Sequence, residues 1–103
     1  MLKELCLING TSGDEGKVRD YIITQIKDYC EYSVDNLGSI IAYKKGKKAP
    51  KQKISINAHM DEVGFIVTGI TDDGYLRFTS VGGIDSRACL DRIVTVGKKA
   101  VKG

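Results

Sequence analysis

An α/β chain is predicted, on three observations: an amphipathic helical stripe early in the sequence, a switch to β-type alternation after residue 30, and turn signals that divide the later part into short strands. The first 30 residues carry the helical periodicity. Leu2, Leu5, Cys6 and Ile8 have helical spacing, which predicts a short opening helix ending near Asn9-Gly10. Ser12-Gly13-Asp14-Glu15 fits a capping box, in which the Ser12 hydroxyl takes an orphan N–H and Glu15 reaches back. Val18, Ile22, Ile26 and Tyr29 then recur as one stripe, so a second helix is expected to end near Cys30. Arg19, Asp20, Lys27 and Asp28 fall largely on its other side.

The β pattern follows. Tyr32 to Asp35 and Ser39 to Lys44 read as strands around an Asn36-Leu37-Gly38 turn. Six lysines, one Gly and the only Pro between Lys44 and Lys53 predict an exposed hairpin loop, with Lys53 to Ala58 returning as a strand. Val63 to Thr71, Tyr75 to Val81 and Arg92 to Val96 give three more strands. Asp73-Gly74 is a strong hairpin signal, Gly82-Gly83 ends a strand, and Asp85 to Leu90 reads as a helical turn. The β region has little helix to cover it, and its last strand runs into Lys98 to Gly103 without a turn. A truncated chain with an unpaired edge is therefore expected.

Composition narrows the function classes. At 42% hydrophobic and 28% charged the chain is in the globular range. A net charge of +3 is too small to argue for nucleic acid without a shaped patch. The lysine-rich stretch has only Tyr43 at its edge, so no stacking platform accompanies it. No stretch approaches the ~18 apolar residues of a membrane span, and the N-terminus is too short and too charged for a secretory core. A soluble, cytoplasmic protein without nucleic-acid or membrane partners is expected. Cys6, Cys30 and Cys89 are widely spaced and odd in number, which suits free thiols.

Most of the conspicuous polar residues have plain explanations. Asp72 and Asp73, followed by Gly74, are turn formers. Asp85 and Asp91 lie near Arg87 and Arg92, where surface charge balance accounts for them. Gly10, Gly13 and Gly16 lack the Lys-Ser/Thr of a P-loop and suit helix entry better than a phosphate cradle. Neither Cys30 nor Cys89 has a neighbouring base in sequence.

The sharpest feature is Asn57-Ala58-His59-Met60-Asp61-Glu62-Val63-Gly64. Following a strand, His59 would stand at its C-terminal end, where open α/β sheets place their sites. The His-x-Asp spacing lets one imidazole nitrogen bind a metal while the carboxylate accepts the other N–H. On spacing alone, a partly buried histidine bonded to a nearby carboxylate is the commoner origin of such a pair.

The surrounding residues add to this. Asn57 to Phe65, Asp72-Asp73-Gly74-Tyr75-Leu76-Arg77-Phe78 and Val81-Gly82-Gly83-Ile84-Asp85 closely resemble the cocatalytic metallo-aminopeptidases of the glutamyl aminopeptidase, tetrahedral aminopeptidase and endoglucanase-like family. Gly10 to Glu15 with Val18-Arg19, and Asp35 to Gly38, look like that family's opening helix and following turn, so the resemblance runs in order along the chain. It implies a parent about three times this length, with two domains. Residues 1–63 match the start of an α/β catalytic domain, helix plus mixed sheet. Residues 64–103 match the first strands of an inserted β-rich dimerisation domain.

The resemblance makes His59 the first metal ligand and Asp61 the carboxylate that orients it, and assigns Glu62 no ligand role. It implies two divalent ions per site, zinc or cobalt, a peptide substrate and a homo-oligomer. The family's remaining ligands and general base have no counterpart here, and His59 is the only histidine. Even one catalytic zinc normally takes three protein ligands, so the isolated chain is expected to be inactive. Two readings follow: a fragment of a metal-dependent aminopeptidase that removes N-terminal residues from peptides, or a noncatalytic interaction module that associates through exposed strands.

Overall fold

The stripe that predicts the second helix also anchors it. In the computed structural model, which describes residues 1–48 and 51–103, helix α1 spans Leu2–Leu5 and α2 spans Gly16–Ile26. Val18 is the buried apolar side chain of α2, at 5% exposure, with Ile22 and Ile26 half-buried along the same face. The helix stops short of Cys30. Its final carbonyls are taken by a tightened turn, Tyr29 N–H and Cys30 N–H both donating to Ile26 O, which swings Tyr29 into solvent.

Strands β1 (Glu31–Val34) and β2 (Ile40–Tyr43) form an antiparallel pair joined by residues 35–39. Asp35 closes that loop: its Oδ1 accepts from Leu37 N–H at 2.9 Å and Ser39 N–H at 2.8 Å, while Gly38 takes φ +87°. The two N–H donors, Ser39 foremost, hold the Asp35 carboxyl below its usual range. Of the expected lysine-rich hairpin loop, Ala49 and Pro50 lie outside the described residues.

A second antiparallel pair joins β3 (Gly64–Ile70) to β4 (Leu76–Val81), with a bulge between Val67 and Gly69. Its turn is the one the Asp73-Gly74 signal predicts. Gly74 N–H donates to Thr71 O, and Gly74 is left-handed at φ +89°. Phe65 and Phe78 meet edge to face with ring centres 4.9 Å apart. A short 3₁₀ helix, Ser86–Ala88, follows. Asp85 caps it by accepting from Arg87 N–H and also pairs with the Arg87 guanidinium at 2.7 Å, the charge balance the sequence suggested.

Three expectations need correction. Residues 53–58 form no strand: Ile54 and Ile56 alternate correctly but find no ladder partner among the described residues and stand 88% and 92% exposed. No continuous mixed sheet forms there either. The described strands make three separate antiparallel pairs, and parallel pairing is confined to one bridge between Thr11 and Glu62. Finally, the strand expected over Arg92–Val96 shrinks to β5 (Thr95–Val96), and the chain turns at Gly97–Ala100 into β6 (Val101–Lys102). That last strand therefore does have a turn after it.

The pairs are spread out. The radius of gyration is 18.2 Å, against about 13 Å for a closed domain of 100 residues. Ile41, Ile66, Ile70, Phe78 and Ile93 remain exposed, so these elements enclose little core. Among the described residues, no helix is long and apolar enough to cross a membrane.

Candidate metal-ligand site

Two distant segments meet beside α2. Residues Gly10 to Ser12, entering the helix, run alongside Met60 to Glu62. Glu62 makes most of the junction. Its backbone N–H donates to Gly10 O at 2.8 Å, its backbone O accepts from Ser12 N–H at 3.3 Å, and its Oε1 accepts from Gly10 N–H at 3.1 Å. The approach is close enough to require glycine at two positions. A Cβ on Gly10 would lie 2.5 Å from Val18 Cγ2, and one on Gly64 would lie 2.5 Å from Thr11 Oγ1.

This junction decides what Ser12 does. No capping box forms: α2 is capped at Glu15 without a side-chain hydrogen bond, and Glu15 Oε1 instead accepts from Gly13 N–H at 2.7 Å. The Ser12 hydroxyl turns away from the helix and donates to Asp61 Oδ2 at 2.5 Å. In a capping box the hydroxyl would accept from a helix N–H; here it donates instead, to a charged carboxylate, which makes the stronger hydrogen bond. Gly10, Gly13 and Gly16 accordingly belong to the junction and the helix entry. Gly13 is left-handed at φ +93°, and Asp14 N–H closes the turn onto Thr11 O.

The other oxygen of Asp61 faces His59. His59 Nδ1 lies 3.0 Å from Asp61 Oδ1 and 2.9 Å from the Asp61 carbonyl. Two acceptors at one ring nitrogen assign a proton to Nδ1, which in the neutral ring leaves the lone pair on Nε2. The Ser12 hydroxyl, and after it the His59 ring, hold the Asp61 carboxyl below its usual range. His59 itself is 85% exposed, so Nε2 points to an accessible edge. A cleft of about 140 Å³ opens beside Asp61, lined by Glu15 at the cap of α2 and Arg19 within it, by Leu37 to Ser39 of the β1–β2 turn, and by Met60. A larger hollow of about 560 Å³ lies at the tip of the β3–β4 hairpin and shares no residue with this site.

His59 and Asp61 thus lie together, and Ser12, which a local helix motif had claimed, joins them. Only its partner's distance along the chain hid it. Asp72, Asp73, Asp85 and Asp91 are elsewhere, in turns and around the 3₁₀ helix. Cys6 is exposed, and Cys30 and Cys89 are half-buried free thiols. A neutral imidazole with Nδ1 engaged and Nε2 open is the donor a divalent ion takes. The described residues hold no group of three or more His, Cys, Asp or Glu able to enclose one, so they fit a single ligand position rather than a full set.

Residues 38–103 match the family model for M42 glutamyl aminopeptidase. The chain belongs to that family. A putative aminopeptidase of Acetivibrio thermocellus is 46% identical over 95 residues, 91% of this chain and 28% of the relative. Among solved structures, an endoglucanase from Thermotoga maritima superposes with a TM-score of 0.86 at 44% identity, covering 95% of this chain and 32% of that one. The Pyrococcus horikoshii TET1 peptidase, which assembles into a tetrahedron or a large octahedral shell, gives a TM-score of 0.82 at 42% identity, covering 99% and 31%. This M42 chain spans about a third or less of each of these proteins.

Proposed function

We propose that these residues supply the first ligand of a metal-dependent aminopeptidase, a hydrolase that removes N-terminal residues from peptides. His59 would hold a divalent ion through Nε2, and Asp61 would orient the ring and raise its basicity. The observation that carries this reading is the Asp61–His59 Nδ1 contact, 3.0 Å, on an imidazole whose far edge is open. When bound, divalent ions supply Lewis-acid polarisation of the peptide carbonyl. Zinc or cobalt, two per site, completes the proposal. So do the division into a catalytic portion, 1–63, and the start of a dimerisation domain, 64–103, and the assembly of several copies. Family membership and the self-assembling TET1 relative support it.

The 103-residue chain alone is expected to show no turnover of amino-acyl chromogenic substrates with added zinc or cobalt. The full-length protein carrying these residues should turn them over, and His59→Ala should abolish that. Activity that persists in the variant would remove His59 from the site.

The noncatalytic reading, association through exposed strands, is favoured by one observation: each sheet is a two-stranded pair, with apolar side chains such as Ile41 and Ile66 left in solvent. Assembly without turnover in the full-length protein would select it.

A further inference from the structure

A carboxylate that steers an imidazole must itself be held, because rotation about its last bond turns its plane, and with it the acceptor lone pairs, away from the ring. Asp61 is 40% exposed and lies on a segment with no strand ladder of its own, so packing does not supply that restraint. The Ser12 hydroxyl does. It reaches Oδ2 at 2.5 Å, across 49 positions of sequence, while Oδ1 faces His59 Nδ1. The contact is short, as expected for a hydroxyl donating to a charged oxygen.

Ser12 is in turn fixed by backbone. Its N–H donates to Glu62 O, its neighbour Thr11 packs where a Gly64 Cβ would stand, and Gly10 is tied to Glu62 at both its N–H and its carbonyl. The hydroxyl has no second use, since α2 is capped without it. We propose that Ser12 is a positioning residue for His59: by holding Oδ2 it fixes the Asp61 carboxylate and so locks the imidazole in the Nδ1–H form with Nε2 open. The lock belongs to the three side chains together with the Asp61 carbonyl, which also faces Nδ1 at 2.9 Å; that Nε2 meets a metal rests on the function proposed above.

The single histidine makes the test direct, since a side-chain ¹⁵N spectrum of the chain contains one imidazole. The 103-residue chain would be compared with Ser12→Ala and Ser12→Thr at one shared pH, at which the ¹⁵N shifts themselves show a neutral ring. The wild type should show the Nδ1–H form. Ser12→Ala should shift the ring toward Nε2–H, and Ser12→Thr, which keeps the hydroxyl, should restore it. Amide exchange at position 12 and at Glu62 should stay at wild-type rates in both variants, because the backbone bonds between these segments do not need the hydroxyl. An unchanged tautomer in Ser12→Ala overturns the proposal. So does a shift that Ser12→Thr fails to rescue, or one seen only together with lost Glu62 amide protection. Wild-type metal content in full-length His59→Ala would instead contradict the ligand role and leave the tautomer result standing.

Discussion

The junction at residues 10–12 and 59–62 and the β3–β4 hairpin are held by different means. Polar ties between residues 49 and 52 positions apart hold the junction, beside the buried Val18 and glycines that admit close approach. The hairpin is local. A ladder and a Gly74 turn give it register, and one aromatic edge contact gives it packing, yet Ile66, Ile70 and Phe78 stay more than half exposed. Small numbers of well-placed hydrogen bonds fix the geometry of a site where little core exists. A ladder alone fixes a shape but leaves apolar surface for another strand or face to cover.

The two regions should therefore fail differently when altered. The largest effect is expected from Asp61→Asn in the full-length protein, a loss of about 10- to 100-fold in turnover, the usual cost of removing a ligand's hydrogen-bond partner. Steady-state rates check this, and a wild-type rate would detach Asp61 from the chemistry. Next comes Gly64→Ala, which forces a methyl toward Thr11 Oγ1 and should cost about 1–3 kcal/mol, as overpacking does. Faster amide exchange at Ser12 and Glu62 would report it, with the Thr71 and Gly74 amides at the far end of the hairpin unchanged.

The smallest effect concerns the exposed strands. The isolated chain should associate through its sheet edges, more strongly as salt screens Lys98, Lys99 and Lys102 within a Debye length of about 10 Å at 0.1 M. Ile66→Lys should weaken association without touching the junction. Light scattering across protein and salt concentration is the measure. A monomer under every condition would mean that these residues close their own core.

Local chemistry was legible in the sequence, and long-range pairing was not. Val18, Ile22 and Ile26 announce α2 because helical burial follows a fixed period, and Asp73-Gly74 announces its turn because only a left-handed residue fits there. Ser12 misleads for the same reason. Ser-x-x-Glu is a local signature, and nothing local reveals a carboxylate 49 residues on. Ile54 and Ile56 alternate as a strand would, but a strand is made by its neighbour, and none pairs with them among the described residues. The Gly97–Ala100 turn had one signal, Gly97 at φ +65°, but Lys98, Lys99 and Ala100 carry no turn chemistry, and Ala100 takes φ +53° against its preference. At the site, His59 and Asp61 were readable as a spacing. Glu62 was not readable as the clamp, because its partner Gly10 is far away in sequence.

If the proposed function holds, the junction presents His59 Nε2 to a divalent ion. Elemental analysis of the purified full-length protein beside its His59→Ala variant tests it most directly. Bound zinc or cobalt in the wild type, lost from the variant while its thermal unfolding stays cooperative, is the predicted result. Equal metal content in the two proteins would contradict the claim.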